Sequence, residues 1–282
     1  MKVLITGVSG RLGYDAAKSL ATRGIPFFGV SSKELDVTDR DAVLRAFREY
    51  RPDAVFHCAA WTKVDLAEEE PERCMRINAD GTRYIAEACR ELNAKLLCIS
   101  TDYVFPGTGG RLWETDDPTG PLNVYGKSKL AGEKAVQELL DRYYIVRTSW
   151  SIGEHGSNFV KTMLRLAQTN DELCVVDDQI GSPTFTADLA PLLCDMLATE
   201  KYGVYHATNE GFCSRAELAE EIFWQTGKNV AVRHVSTEEY GAKAARPKNS
   251  RLSKVSLDAG GFTRLPDWKD ALSQYLTLLR IV

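Results

Sequence analysis

Residues 3–20 read VLITGVSGRLGYDAAKSL. A short apolar run, VLIT (3–6), leads directly into glycines at 7, 10 and 13. A helical pattern follows over 11–23, with Leu12, Ala16, Ala17 and Leu20 on one face. A tight turn between strand and helix needs glycine, and close approach of a pyrophosphate to backbone needs it again. The helix N-terminus then favours the anion. The spacing GxxGxxG departs by one residue from the GxGxxG fingerprint, so its position between strand and helix carries the reading more than the spacing does.

Outward from this loop the first half of the chain alternates. FFGV (27–30), AVFHCAA (54–60), KLLCIS (95–100) and YYIVRTSW (143–150) are strand-like. Between them lie helices over 38–50, opened by Thr38 and Asp39, over about 72–92, and over 122–141. Continuous apolar strands separated by helices predict a parallel sheet covered on both faces, the α/β, Rossmann-type doubly wound plan. After residue 150 the rhythm breaks. GEHGSNF (153–159) reads as loop, 158–169 as helix, LCVVDDQIGSPTF (173–185) as strand and loop, and 187–198 as helix. GVYHATN (203–209) is a strand that can return to the main sheet. Helix 214–226, loop RPKNSRL (246–252) and an amphipathic tail at 267–279 complete the chain. The expected organisation is an NAD(P)-binding domain of 1–150 plus about 173–209, with a smaller C-terminal α/β substrate lobe formed by 151–172 and 210–282.

The bulk properties are those of a globular enzyme-sized chain. Its 282 residues are 44% hydrophobic and 26% charged, with net charge −4. That balance favours neither nucleic acid nor an anionic membrane as partner, and no apolar run reaches the roughly 18 residues that span a bilayer. The N-terminal MKVLITGVSG runs straight into the glycine motif and has no signal-peptide pattern, so a cytoplasmic location is expected. Seven cysteines (58, 74, 89, 98, 174, 194, 213) and four histidines show no CxxC or metal-ligand spacing. They read as packed thiols and not as a disulfide framework or a metal site.

Cofactor choice is written after the second strand, in GVSSKEL. Ser31, Ser32 and Lys33 suit the 2′-phosphate of NADPH, while Glu34 is the kind of residue that binds the free ribose of NADH. NADPH is the expectation and NADH stays open. Asp36 lies near the expected adenine edge.

A second motif lies in NVYGKSKLAGEK (123–134), where Tyr125 precedes Lys129 by one helical turn. Side chains at i and i+4 share a helix face, their Cβ atoms about 5–6 Å apart. A free phenol, with a pKa of about 10, is a poor proton donor at neutral pH. A lysine charge about 4 Å away at an effective dielectric near 20 is worth roughly 4 kcal/mol, or about three pKa units. That would bring the phenol near 7, with burial opposing. Tyr and Lys at this spacing also occur on ordinary surface helices. What distinguishes this pair is Thr101 with Asp102, at the carboxyl end of the fourth strand, where open α/β sheets bind ligands. A hydroxyl there can donate to the carbonyl oxygen that the tyrosine protonates.

These motifs together resemble the dTDP-4-dehydrorhamnose reductase family of extended short-chain dehydrogenase/reductases. The likeness runs through ITGVSGRLG, HCAAWTKVDLAEEEPERCMRINADGT, STDYVFPGTGG, PLNVYGKSKLAGEKAV, VRTSW, VDDQIGSPTFTADLA and RPKNSRL, nearly the whole chain. It implies reduction of a nucleotide-linked 4-keto sugar, dTDP-4-dehydro-L-rhamnose, by NADPH. Gly7, Gly10, Arg11, Leu12 and Gly13 would line the pyrophosphate, Asp36 and Val37 the adenine, and Ala59, Ala60 and Trp61 the ribose and nicotinamide. Thr101, Tyr125 and Lys129 match the family's catalytic triad. Asp102, Tyr103 and Trp150 would flank the sugar. Arg246 and Asn249 would either reach the nucleotide diphosphate or hold the substrate lobe. Trp61-Thr62-Lys63 is bulkier and more charged than the family pattern. The acidic run Glu68-Glu69-Glu70 reads as a solvated helix start. Some relatives use acidic residues at a homodimer interface to hold Mg²⁺, but no such site is placed in this sequence. Two rivals follow from the same resemblance. One is a reductase of another NDP-4-keto-6-deoxy sugar. The other is a non-catalytic NADP-binding subunit, like the regulatory subunit of methionine adenosyltransferase.

Overall fold

A computed structural model describes residues 1–282. In chain order the first half comprises β1 (Val3–Thr6), α1 (Arg11–Thr22), β2 (Phe27–Val30), α2 (Arg40–Tyr50), β3 (Ala54–His57), α3 (Val64–Glu69), α4 (Pro71–Met75), α5 (Gly81–Leu92), β4 (Lys95–Thr101), α6 (Val124–Leu139) and β5 (Tyr143–Thr148). The second half continues with β6 (Ser151–Ile152), α7 (Phe159–Leu166), β7 (Glu172–Val176), β8 (Ile180–Gly181), β9 (Thr184–Phe185), α8 (Thr186–Leu197), β10 (Gly203–His206), β11 (Cys213–Ser214), α9 (Arg215–Gln225), β12 (Ala231–Val235), α10 (Thr237–Tyr240), α11 (Val255–Gly260) and α12 (Trp268–Leu278).

Six parallel strands form the main sheet in the order β10-β5-β4-β3-β1-β2. The strand order reverses between β1 and β3, so the loops leaving these two strands diverge and open a crevice at their carboxyl ends. Both faces are covered, as the unbroken apolar strands require. One face packs Leu12, Ala16 and Leu20 of α1 against Leu189, Leu193 and Leu197 of α8. The other packs Val43 and Phe47 of α2 with Ile85 and Cys89 of α5 and Val136 of α6. A separate apolar core holds the C-terminal lobe together through Val160, Phe185, Leu218, Ile222, Trp268 and Leu272. No helix is long and apolar enough to cross a membrane.

Several expectations shift in detail. The third strand ends at His57, and the following residues through Lys63 run as coil. The single helix expected over 72–92 is two helices joined by a π-turn over Arg76–Asp80, with Pro71 at the first position of α4. The π-turn carries Asn78, whose amide serves the loop after β3, and such wide turns recur where a helix must offer a side chain to a site. The 173–185 segment stays out of the main sheet: β7 pairs with β12, β8 with β11 and β9 with β6. Within the expected 173–209 extension of the nucleotide-binding domain, the main-sheet contacts come from α8 and β10.

Candidate active site

The crevice is a cavity of about 550 Å³ between sheet and lobe. One wall is the glycine loop. Gly7 has φ +71°, and a Cβ there would lie 2.7 Å from the Ala59 nitrogen, so the loops after β1 and β3 meet only because the residue is glycine. At Gly13 a Cβ would lie 2.2 Å from the Gly7 carbonyl oxygen. Gly10 differs: a Cβ would meet only that oxygen, at 3.2 Å, so its outer side is open, and Gly10, Arg11, Leu12 and Gly13 all face the cavity. Arg11 reaches across to donate to the Ser157 carbonyl at 2.7 Å. Ala60 lines the cavity beside Thr62, whereas Ala59 packs on the glycine loop. Trp61 turns outward. Its backbone is held by Asn78, whose amide oxygen accepts from the Trp61 N–H at 2.8 Å and whose nitrogen donates to its carbonyl at 3.0 Å. Its ring stacks under the Arg73 guanidinium.

After β2, the Glu34 carboxylate folds back to accept from the Ser31 N–H at 2.8 Å and from the Ser31 hydroxyl. Ser32 and Lys33 are exposed. Asp36 accepts from the Thr38 N–H at 2.9 Å and from its hydroxyl at 2.8 Å, closing the turn before α2. Val37 is buried against Gly81.

The opposite wall carries Thr101, Asp102, Tyr103, Tyr125 and Lys129. Asn123 caps α6 by accepting from the Gly126 N–H at 2.8 Å, which sets Tyr125 in the first turn. Gly126 is needed there, because a Cβ would lie 2.3 Å from the Tyr103 carbonyl oxygen. The Tyr103 and Tyr125 rings meet edge to face at 5.8 Å. Lys129 is buried and faces the cavity, and its ammonium makes no hydrogen bond or ion pair within the chain. One turn further, Glu133 accepts from Arg147 at 2.8 Å in a fully buried ion pair and also from the Ser100 hydroxyl, fastening α6 to β4 and β5.

The electrostatics correct one expectation. Burial dominates the Tyr125 phenol and raises its pKa. The Thr101 hydroxyl offsets part of this, and the charges of Asp102 and Tyr103 add to it. The phenol is not brought toward 7: burial is the largest influence on it, and the Lys129 charge is not among the leading ones. A phenol raised in this way stays protonated at neutral pH, the form a proton donor needs. Asp102 is pushed up to about 6, chiefly by burial, with the Ser250 and Thr101 hydroxyls and the Arg215 charge opposing. One of its oxygens accepts from Thr101 at 3.0 Å and the other, buried, has no partner. His57, beneath the glycine loop between the Thr6 and Thr82 hydroxyls, is lowered to about 3 by burial and the Lys129 charge, and is therefore neutral.

Arg246 and Asn249, two expected substrate residues, are not among the side chains that line the cavity. Arg246 is bound bidentately to Asp65 at 3.0 and 2.7 Å. Asn249 donates to the Arg111 carbonyl at 2.7 Å and accepts from Arg251 at 2.8 Å. Of the two roles open for them, these contacts are those of lobe anchors. The acidic run is not merely solvated either. Glu68 accepts from the Val124 N–H at 2.8 Å at the start of α6, Glu69 pairs with Lys243 at 2.6 Å, and Glu70 pairs with Arg73 at 3.0 Å. The chain gathers no group of three or more His, Cys, Asp or Glu side chains able to hold a metal ion.

Trp150 is in the cavity as expected, with φ +45°, a left-handed conformation unusual for so bulky a residue. Over its ring lies Arg215, which sequence reasoning missed. A signal existed: a cation in the first turn of a helix stands against the helix dipole.

The whole chain matches known proteins. A family model described as the RmlD substrate binding domain covers residues 1–281. The dTDP-4-dehydrorhamnose reductase of Streptomyces griseus is 46% identical, over 96% of this chain and 91% of that protein. The spore coat polysaccharide biosynthesis protein SpsK of Bacillus subtilis is 42% identical, over 98% and 96%. The crystal structure of dTDP-4-dehydrorhamnose reductase from Bacillus anthracis in complex with NADP superposes with a TM-score of 0.96 at 44% identity, over 98% of each chain. With a glycine-loop crevice, a strand-end threonine and a Tyr–Lys helix facing one cavity, and likeness along its full length, the chain belongs to the dTDP-4-dehydrorhamnose reductase family.

Proposed function

We propose that this protein reduces dTDP-4-dehydro-L-rhamnose to dTDP-L-rhamnose with NADPH. The observation that carries the reading is the convergence of Thr101, Tyr125 and Lys129 on one cavity with the open backbone edge of Gly10–Gly13. The glycine loop fits a dinucleotide pyrophosphate, since Gly10 leaves its outer side free and Arg11 adds a cation beside it. Lys33, exposed and without an ion-pair partner, favours the 2′-phosphate of NADPH, and Glu34 is drawn aside onto Ser31.

The bound cofactor supplies a hydride to the C4 carbonyl carbon. Thr101 would turn its single hydroxyl proton from Asp102 to the C4 oxygen and so orient the carbonyl. Tyr125 gives its phenolic proton to that oxygen as negative charge develops there. Lys129, whose ammonium is unpartnered within the chain, stabilises the phenolate that Tyr125 becomes and would hold the nicotinamide ribose of a bound cofactor. Burial of the phenol keeps the proton in place until the carbonyl accepts it.

The test is turnover of a panel of nucleotide-linked 4-keto-6-deoxy sugars, followed by loss of NADPH absorbance. The expected result is highest kcat/KM with dTDP-4-dehydro-L-rhamnose. Faster turnover of a different sugar would reassign the substrate. Tight NADPH binding with no turnover of any keto sugar would overturn the reductase reading in favour of a binding subunit.

A further inference from the structure

Arg215 opens α9, immediately after Ser214, which caps that helix through a full capping box with Glu217. Its guanidinium carbon lies 3.6 Å from the centre of the Trp150 ring and 5.6 Å from that of Phe159. Trp150 is itself fixed: its backbone is left-handed, and its ring packs on Gly181, where an added Cβ would lie 3.0 Å from two ring carbons. A left-handed backbone in so large a residue persists only where surrounding structure imposes it, and such strain clusters at ligand sites.

Stacking occupies the face of a guanidinium and leaves its in-plane N–H fork free. In Arg215 that fork makes no hydrogen bond and no ion pair within the chain, although the side chain is recessed in the cavity wall. A recessed cation without a carboxylate partner is costly, and its cost is recovered when an anion arrives. The charged side chains lining the cavity are Arg11, Lys129 and Arg215 against Asp102 alone. Arg11 stands at the glycine loop and Lys129 behind Tyr125, which leaves Arg215, on the lobe side of the cavity, without a role in holding the cofactor. The N–H groups at the start of α9 add to the positive potential there.

We propose that Arg215, held flat on Trp150, is the receptor for the diphosphate of the sugar nucleotide. Trp150 is then the plate that aims the guanidinium, and the sugar lies between this fork and the Thr101–Tyr125 wall. The assignment deepens the reductase reading and takes its ligand class from it.

The test compares dTDP with thymidine, neither of which carries a ketone, as ligands of the NADPH-bound protein by calorimetry. The expected result is that wild type prefers dTDP, and that Arg215→Met, which keeps an apolar stem on Trp150, weakens dTDP by about tenfold or more while thymidine and NADPH change by less than about twofold. Arg215→Lys retains the charge but not the fork and should fall between the two. Equal losses for dTDP and thymidine would make Arg215 a brace for Trp150 and overturn the proposal, as would unchanged dTDP affinity or no dTDP preference in wild type. If Arg215→Met fails to bind NADPH and so is not folded, Arg215→Lys decides: a reduced dTDP-to-thymidine preference supports the proposal and an unchanged one overturns it. The outcome is separable from that of the reductase reading. A protein that reduces no keto sugar but loses its dTDP preference with Arg215 keeps the phosphate receptor and loses the reductase assignment.

Discussion

Burial disfavours the charged form of Asp102, and removing that charge should stabilise the protein while damaging its function. The carboxyl is buried, one oxygen has no partner, and its pKa is raised from 3.8 to about 6. A folded-state pKa above the unfolded one means that the native state holds the proton more tightly. Stability is then greatest below the unfolded value and is lost as pH rises through the folded one. The full shift corresponds to about 3 kcal/mol at pH 8, of which about half is already lost at pH 5. Asp102→Asn keeps the shape and removes the titration. The variant should therefore exceed wild type in stability, by a margin that widens by about 1–2 kcal/mol between pH 5 and pH 8. Urea unfolding followed by tryptophan fluorescence and by circular dichroism at both pH values measures this, with coincidence of the two probes checking cooperativity in a two-lobed chain. Turnover of the variant should fall, because Asp102 lines the cavity and its other oxygen accepts from the Thr101 hydroxyl. A margin independent of pH, or a variant less stable than wild type at pH 8, would refute the reasoning that burial outweighs the hydroxyl partners in setting this pKa.

Other expectations concern the remaining parts of the site. Tyr125→Phe should lower kcat at least about tenfold at unchanged NADPH affinity, since it removes the general acid. Because burial raises the phenol pKa, the wild-type rate of keto-sugar reduction should show no loss near pH 7 from phenol ionisation; a limb there that disappears in a variant altered at Tyr125 would contradict this. Gly13→Ala places a Cβ 2.2 Å from the Gly7 carbonyl oxygen, and NADPH titration should show affinity weakened by about tenfold or more, since backbone cannot yield as a flexible side chain can; unchanged affinity would show that the loop relaxes freely. Arg246→Met breaks the pair with Asp65, which is half exposed. Stability should drop by no more than about 1 kcal/mol, while KM rises for the sugar nucleotide and not for NADPH; equal effects on both would deny Arg246 a lobe-anchoring role.

The nucleotide-binding half was legible because its signals are local. The apolar runs, the glycine spacing and the Tyr125–Lys129 turn each lie within one element or one turn, and the strands and helices fall within a few residues of their expected bounds. The errors arose where one element serves another. The π-turn in the expected 72–92 helix exists to place Asn78 against Trp61, and the acidic run after Lys63 works on α6 and on the 243–246 loop. No periodicity in either segment records such partners.

By itself the sequence determined the parallel sheet, the glycine turn at its opening and the helical face that carries a phenol one turn before an ammonium. These follow from side-chain periodicity and backbone sterics over a few neighbouring residues. Only the tertiary structure decided which groups titrate and which are spoken for. Burial, and not the nearby lysine, governs Tyr125. Arg246 is consumed by Asp65, 181 residues away in the chain, while Arg215 is left on Trp150 with its donors free. Solvation and long-range pairing depend on what the folded chain brings together, and a linear order of residues does not contain them.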